Sequence, residues 1–224
     1  MKKIDYAFAG LIGFFFGIFA IPTVINLNIH TKVAMRLGLP AALFLALLPW
    51  IMAVVYLAAL RIGDQLSRKL PIFLQITKFG AVGAFNTIID FGVFNLLMLL
   101  SYRDFAARIV SGYGGSLLFV LLLNTPGFMI AVINSFYWNK WWVFPKNNNE
   151  KAATNFPQFL LITVLGSLIN SGIVWGTTVI SAAGLSSPTF FNVAKAGATI
   201  ITLIWNFLGY KFIVFKSREP IAPL

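Results

Sequence analysis

INSFYWNKWWVF, residues 133–144, and IWNFLGYKFIVF, residues 204–215, are two copies of one sequence pattern. Each copy closes an apolar run with aromatic side chains around a single lysine. Tryptophan and tyrosine rings lie at the level of lipid headgroups, and a lysine there extends its ammonium group toward lipid phosphate. The pattern predicts two helices that leave a bilayer, in a duplicated membrane protein whose functional site lies between the halves. The copies are identical at these paired positions: Ile133/Ile204, Phe136/Phe207, Lys140/Lys211, Val143/Val214 and Phe144/Phe215.

The composition of the chain is that of a membrane protein. Hydrophobic residues make up 59% of it and charged residues only 10%, and the mean hydropathy is +0.86. The net charge of +11 comes from basic residues at the ends of apolar runs, so lipid phosphate is the expected counterpart and nucleic acid is not. Because cysteine is absent and His30 is the single histidine, thiol catalysis and disulfides are excluded, and neither a metal site nor a cofactor is expected.

Six apolar spans reach the length of roughly 20 residues that a helix needs to cross the core of a bilayer. Because they are continuously apolar and do not alternate, they predict an all-α, polytopic transmembrane helical bundle and not a barrel. An Asn-Thr-Pro-Gly interruption at residues 124–127 leaves open whether the fourth span is continuous, broken or re-entrant. The expected spans are Tyr6 to Leu27, Pro40 to Leu60, Phe79 to Ser101, Leu117 to Val143, Phe156 to Ala183 and Phe190 to Phe215.

Positive charge supports six spans and gives their orientation. With this count, one side of the membrane carries an excess of basic residues, which predicts that both termini are cytoplasmic in a multi-pass protein of the inner (cytoplasmic) membrane. A cleaved signal peptide is not expected after Lys2 and Lys3, because no small-residue cleavage site follows a long apolar run. The opposite side receives Lys32, Arg36, Arg103 and Arg108.

The duplication predicts how the chain is organised. Residues 1–74 are expected to form an N-terminal transmembrane hairpin with a connector, and residues 75–224 a four-helix core. Within the core, repeat one covers 75–150 and repeat two covers 151–224, and two helices in each make the repeats parallel. The connector, Arg61 to Gln75, is expected either as an amphipathic helix along the inner surface or as a solvated link.

The segment KFGAVGAFNTIIDF (78–91), together with NSFYWNKWWVF (134–144), resembles the GtrA-like family of small membrane proteins. The likeness covers roughly Gln75 to Lys216, and it combines an Asn-Thr-x-x-Asp pattern in the first core helix with an Asn-Lys-x-Trp-x-Phe exit from the second. Two features depart from the family pattern: the N-terminal hairpin and the long connection from Arg103 to Gly115.

This resemblance implies a four-helix core associated with the synthesis of cell-surface polysaccharide. Its expected function is that of a flippase, which translocates a polyprenyl-phosphate-linked monosaccharide across the cytoplasmic membrane. Some members are instead proposed to anchor a glycosyltransferase, so a membrane glycosyltransferase is a further expected partner. Four core helices form a small wall, for which a homodimer is expected.

Asp90 is the foremost candidate for a substrate-binding residue. It lies about halfway along its span, where a carboxylate requires a partner, a water-filled cavity or a proton. Asn86 is one helical turn earlier on the same face, and Gly83 is expected to continue that face with a close approach between helices. The alternative is that Asn86 and Asp90 only join helices by hydrogen bonds.

Lys195 is a second candidate, because its ammonium group lies among small residues near the start of the last span. It is expected to meet either Asp90 or an anionic ligand, or else to extend to the outer surface. The equivalent position in the first repeat is Asn124, so the predicted site holds one cation and suits one phosphate. Arg108 is a further candidate on that side, with ordinary loop charge as the alternative.

The two matching stretches, residues 133–144 and 204–215, are called the exits because helices are expected to leave the bilayer there. They supply the remaining candidates. Lys140 and Lys211 occupy equivalent positions, with Asn139 and Trp142 beside the first. Aromatic faces suit sugar rings and lysines suit phosphate, so this edge is expected to load the lipid-linked sugar; an aromatic belt with extended lysines is the alternative. Asn170 and Asn206 either pack helices together, which is the favoured interpretation, or line the same cavity.

An enzyme is not expected from these residues. Only Asp90 among six acidic residues lies deep in the membrane, so neither a carboxylate pair nor a two-metal site can be assembled there, and no Walker loop occurs. Three functions remain open: translocation of the sugar lipid, a non-transporting anchor for a glycosyltransferase, and a proton-coupled exporter of small cations. Lys195 and the outer basic residues disfavour the last, because they would repel cations.

Overall fold

The fold is all-helical throughout the part of the chain that the structure, a computed structural model, describes: residues 3–101, 117–145, 152–180 and 188–216. The predicted all-α class is confirmed for these residues. The α-helices are α1 Lys3–Asn26, α2 Ile29–Leu37, α3 Ala41–Ser67, α4 Ile72–Ser101, α5 Leu117–Trp138, α6 Ala152–Ile180 and α7 Pro188–Gly209, and two π-helical segments are π1 Asn139–Val143 and π2 Tyr210–Val214.

Within the described ranges, five helical segments are long and apolar enough to cross a membrane, which makes this a multi-pass membrane protein. The sixth expected span coincides with α5 and π1; its crossing and the cytoplasmic location of the termini stay predictions. Helix α5 runs without a break through Pro126, so the Asn-Thr-Pro-Gly sequence does not interrupt the helix. The five segments are Lys3–Asn26, Ala41–Ser67, Ile72–Leu97, Asn155–Ile173 and Gly197–Val214.

Two local predictions differ from the structure. The connector from Arg61 to Gln75 is neither a separate surface helix nor a solvated link, because α3 continues to Ser67 and α4 begins at Ile72. The break falls before Pro71, since a proline disfavours helical geometry in the residue that precedes it. The sequence pattern also did not predict α2, a short helix between the first two spans that ends at Gly38 in a left-handed conformation (φ 66°).

Packing divides the chain into two compact units, residues 1–138 and residues 139–224. The repeat boundaries after residues 74 and 150 are a statement about internal sequence similarity, and they stay a prediction.

In the first unit, α1 packs against α3 and α4, and α4 also contacts α3 and α5. Glycines let α1 and α3 approach closely. A Cβ atom added at Gly13 would lie 2.5 Å from the carbonyl oxygen of Met52, and one added at Gly17 would overlap the backbone of Pro49.

The second unit packs α6 against α7 and π2. Phe159 of α6 stacks on Tyr210 with ring centroids 4.4 Å apart, and Thr163 shares a hydrogen bond of 2.7 Å with the Tyr210 hydroxyl. At the end of the two matching stretches, the equivalent residues Phe144 and Phe215 stack on each other with centroids 5.4 Å apart. This aromatic cluster holds the ends of the two copies together.

Both matching stretches contain a π-helical segment at the same place. Each segment is closed by a backbone hydrogen bond over five residues, from the Phe144 amide to the Asn139 carbonyl at 2.9 Å and from the Phe215 amide to the Tyr210 carbonyl at 2.8 Å. A π-helix accommodates one extra residue in a turn and is frequent at functional sites. The likeness of the two stretches therefore extends from sequence to backbone geometry.

The contact between α1 and α3 predicts opposite effects for two glycines on the same helix. Gly13→Ala is expected to lower the free energy of unfolding by about 1–3 kcal/mol, because the new methyl group meets backbone atoms that cannot yield. Gly10→Ala is the matched control, since its Cβ would come no nearer than 3.9 Å to Leu57, and it should be neutral or stabilising by up to about 1 kcal/mol. Thermal unfolding of the protein in detergent measures both, and equal midpoints for the two variants would contradict this packing.

Candidate functional site

A chain of hydrogen bonds joins α4 to α5 in the first unit. Asn134 donates through its amide nitrogen to Oδ1 of Asn86 at 2.7 Å. The indole nitrogen of Trp138, one turn further along α5, donates to Oδ1 of Asn134 at 3.1 Å. Asn86 thus holds two helices together, and its position relative to α5 is fixed. Its role in binding a substrate stays a prediction.

Asp90 lies one turn beyond Asn86, where α4 meets α5 at Gly127. A Cβ atom at Gly127 would lie 2.7 Å from Oδ1 of Asp90 and 2.8 Å from its main-chain oxygen, so only glycine fits without displacing the carboxylate. Oδ1 is buried and has no hydrogen-bond partner among the described residues. An acceptor left in apolar surroundings is costly, so this oxygen needs a donor that the described residues do not supply.

The predicted close approach at Gly83 is wrong. The space beside Gly83 is open, because a Cβ atom added there would have no described neighbour within 4 Å. The close approaches in this region are made by Gly127 of α5 and by Gly92 of α4, which abuts the Phe19 carbonyl of α1. Helical spacing gives the face of a helix correctly, but it does not tell which part of that face has a neighbour.

Helix α4 also makes polar contacts with α1 that were not predicted from the sequence. Lys78 near its start forms a largely buried ion pair with Asp5 of α1, with Nζ and Oδ1 2.5 Å apart. Near its other end, the buried Asn95 accepts a hydrogen bond from Asn26 at 2.7 Å and donates to the Thr23 hydroxyl at 3.2 Å. The ion pair could have been predicted from the sequence. Asp5 and Lys78 have opposite charges, and each lies near the beginning of a span that is expected to start on the same side of the membrane.

The two equivalent lysines of the exits lie in different surroundings. Lys140 is only 3% exposed, and its neighbours in π1, Asn139 and Trp142, are buried as well. Lys211 is half-buried, and its ammonium group lies 5.6 Å from the ring centroid of Phe207 and 5.5 Å from that of Phe212. Of the two, Lys211 is the lysine that a ligand can reach more readily.

In the second unit, α6 and α7 are joined by a further polar seam. Asn170 donates to the Thr202 hydroxyl at 3.3 Å, in agreement with its predicted role in helix packing. Asn206 lies against Gly166, where a Cβ atom would be 2.6 Å from its Oδ1. This oxygen is buried and has no hydrogen-bond partner within the described ranges.

Three predicted site residues lie wholly or partly outside the described part of the chain. Lys195 belongs to α7 and Asn124 to α5, but their side chains are not described, and Arg108 falls outside the described residues altogether. Among the residues that are described, no group of three histidine, aspartate or glutamate side chains could hold a metal ion.

Comparison with known proteins gives a match to the family model for the GtrA/DPMS transmembrane domain over residues 78–215. An uncharacterized membrane protein of Bacillus subtilis, YngA, is 29% identical over 138 residues, which cover 62% of this chain and 77% of that protein. A prophage bactoprenol-linked glucose translocase homolog of Escherichia coli is 24% identical over 142 residues, which cover 63% of this chain and 95% of that protein. No solved structure matches.

The bond between Asn86 and Asn134 predicts a measurable coupling. In a double-mutant cycle of Asn86→Ala and Asn134→Ala, the interaction energy is expected to be about 0.6 kcal/mol, the average for hydrogen bonds between membrane helices, and at most about 1.7 kcal/mol. Unfolding of the protein by titration with a denaturing detergent supplies the four free energies.

Thr87 provides the control for this cycle. Its hydroxyl bonds to the Gly83 carbonyl within α4, so the cycle of Thr87→Ala with Asn134→Ala should give an interaction energy near zero. Similar coupling in both cycles would mean that the Asn86 contact is not the one that joins α4 to α5.

Proposed function

The chain belongs to the GtrA/DPMS transmembrane family, and from this premise we propose that it translocates a polyprenyl-phosphate-linked monosaccharide across the cytoplasmic membrane for cell-surface polysaccharide or glycan synthesis. A role as a polyprenyl-sugar flippase is supported at the level of the family, because a relative that is matched over 95% of its length is named as a bactoprenol-linked glucose translocase homolog.

The observation that carries this proposal is the buried oxygen of Asp90. A sugar is rich in hydroxyl groups that donate hydrogen bonds, and a carboxylate oxygen without a donor is a strong acceptor for them. Hydrocarbon offers no such acceptor, so a sugar that crosses the membrane needs polar groups of the protein along its way. Asn86 lies one turn before Asp90 on α4 and is held in place by Asn134 of α5, so it adds an amide group to the same stretch of α4.

In the proposed mechanism, the sugar passes beside Asn86 and Asp90 while the prenyl tail stays in lipid. Lys195 on α7 and the lysines of the exits, Lys140 and Lys211, neutralise the phosphate. The accessible Lys211 makes the first contact, and the buried Lys140 contributes to the potential around it. Asn139 and Trp142 beside Lys140 support the loading edge.

Translocation of this kind makes and breaks no covalent bond, and accordingly we propose that the protein is not an enzyme. The glycosyl transfer that precedes or follows it belongs to a separate membrane glycosyltransferase, which we propose as a partner. The proposed assembly is a homodimer, because four core helices are few to enclose a sugar and a second copy would supply more of the surrounding surface.

Asp90→Ala is expected to reduce translocation about tenfold or more while the protein still assembles, since a tenfold change corresponds to losing about 1.4 kcal/mol of hydrogen bonding to the moving sugar. The assay uses vesicles that contain the purified protein and a polyprenyl-phosphate glucose, and it measures how fast the sugar becomes accessible on the opposite face. Asp64→Asn, a carboxylate change near the end of α3, is the matched control and should translocate at the wild-type rate.

Normal translocation by Asp90→Ala would refute the role proposed for this carboxylate. If, in addition, Lys211→Gln abolished co-purification with a glycosyltransferase, the non-transporting anchor would become the better account of the protein.

A further inference from the structure

The N-terminal hairpin, α1 and α3, has no part in the proposed path for the sugar. The family model begins at residue 78, and the Escherichia coli relative is matched over almost its whole length by a segment of this chain that is 142 residues long. The hairpin therefore lies outside the segment that the family model matches, and it calls for a function of its own.

Two contacts bring three helix ends together in the first unit. The ion pair of Lys78 with Asp5 joins the start of α4 to the start of α1. Arg61, near the end of α3, donates through Nη1 to the hydroxyl of Tyr6 on α1 at 3.2 Å. The turn from α3 to α4 lies at the same end, since it is only four residues long.

This end of the unit carries exposed positive charge, which we call the basic collar: Lys3, Arg61, Arg68 and Lys69. Two acidic residues lie nearby. Asp5 is already paired with Lys78, and Asp64 is on α3 one turn from Arg61 and one turn from Arg68. Apart from the pair of Asp5 with Lys78, this end of the unit therefore has one carboxylate and four basic groups, so an excess of positive charge remains.

Exposed apolar side chains lie next to the basic collar along the same helices. They come from the last turns of α3, from the turn itself and from the first turns of α4: Ile62, Leu66, Leu70, Ile72 and Phe73. Exposed apolar side chains close to exposed basic ones suit the boundary between acyl chains and phosphate groups at a membrane surface.

We propose that the basic collar is a binding site for the headgroups of anionic phospholipids, and that the hairpin thereby fixes the protein to a charged membrane surface. Arginine and lysine differ in this task. The guanidinium groups of Arg61 and Arg68 bind phosphate in a fork, whereas Lys3 and Lys69 act as point charges. Asn86 and Asp90, the groups on α4 that are proposed to bind the sugar, contact α5 and take no part in this site.

The test compares two soluble lipids, dioctanoyl phosphatidylglycerol and dioctanoyl phosphatidylcholine, for binding to the full-length protein in a neutral detergent. The wild type is expected to bind the anionic lipid more tightly, with an affinity that falls as salt is added. Arg61→Gln/Arg68→Gln/Lys69→Gln should weaken phosphatidylglycerol binding by about fivefold for each charge removed and leave phosphatidylcholine binding unchanged.

Two further variants make the result specific. Arg68→Gln/Lys69→Gln retains the bond from Arg61 to Tyr6, so it separates loss of charge from disturbance of the helix ends, and it should still lose part of the affinity. Lys32→Gln/Arg36→Gln removes two exposed charges from α2 and should bind phosphatidylglycerol like the wild type.

Equal losses in the α2 control and the collar variants, or no loss in the collar variants, would overturn the proposal. So would a collar that binds undecaprenyl phosphate but not phosphatidylglycerol, because the site would then serve the transported lipid. Translocation by Asp90→Ala is independent of these measurements, so the two proposals can fail separately.

Discussion

Hydrocarbon cannot donate or accept a hydrogen bond, so each polar side chain on a membrane helix needs a partner on its own helix or on a neighbouring one. Helix α4 meets this constraint through two neighbouring helices. Lys78 and Asn95 bind α1, while Asn86 binds α5. These contacts fix α4 in the first unit both along its axis and about it. The buried oxygen of Asp90 is the exception on this helix, and it stands out because the groups around it are satisfied.

The sequence predicted the helices well, because hydropathy and span length depend on each segment alone. Asn86 and Asp90 were singled out as candidates by the same local reasoning, since a polar residue in an apolar span is conspicuous whatever surrounds it. Asn134 and Gly127, their neighbours on α5, were not found. Which helix faces another, and at what height, depends on tertiary packing, and the wrong expectation for Gly83 has the same cause.

The two exits illustrate a different limit. Lys140 and Lys211 are equivalent in sequence, and the backbone around them has the same π-helical geometry. Their burial nevertheless differs, because burial is decided by elements that lie far away in the chain. The π-helical segments themselves have no residue signature comparable to a helix cap, so the match of the two stretches predicted a shared structure without predicting its kind.

Pro126 weakens the backbone of α5 at one point, although the helix continues through it. A proline has no amide hydrogen, so the carbonyl group of Leu122, four residues earlier, loses its usual intrahelical partner. The missing bond is next to Gly127, where bulk is also absent, and both are at the depth of Asp90. A helix that lacks a hydrogen bond and bulk at the same point bends more easily there than elsewhere, so α5 is most compliant at the level of the carboxylate.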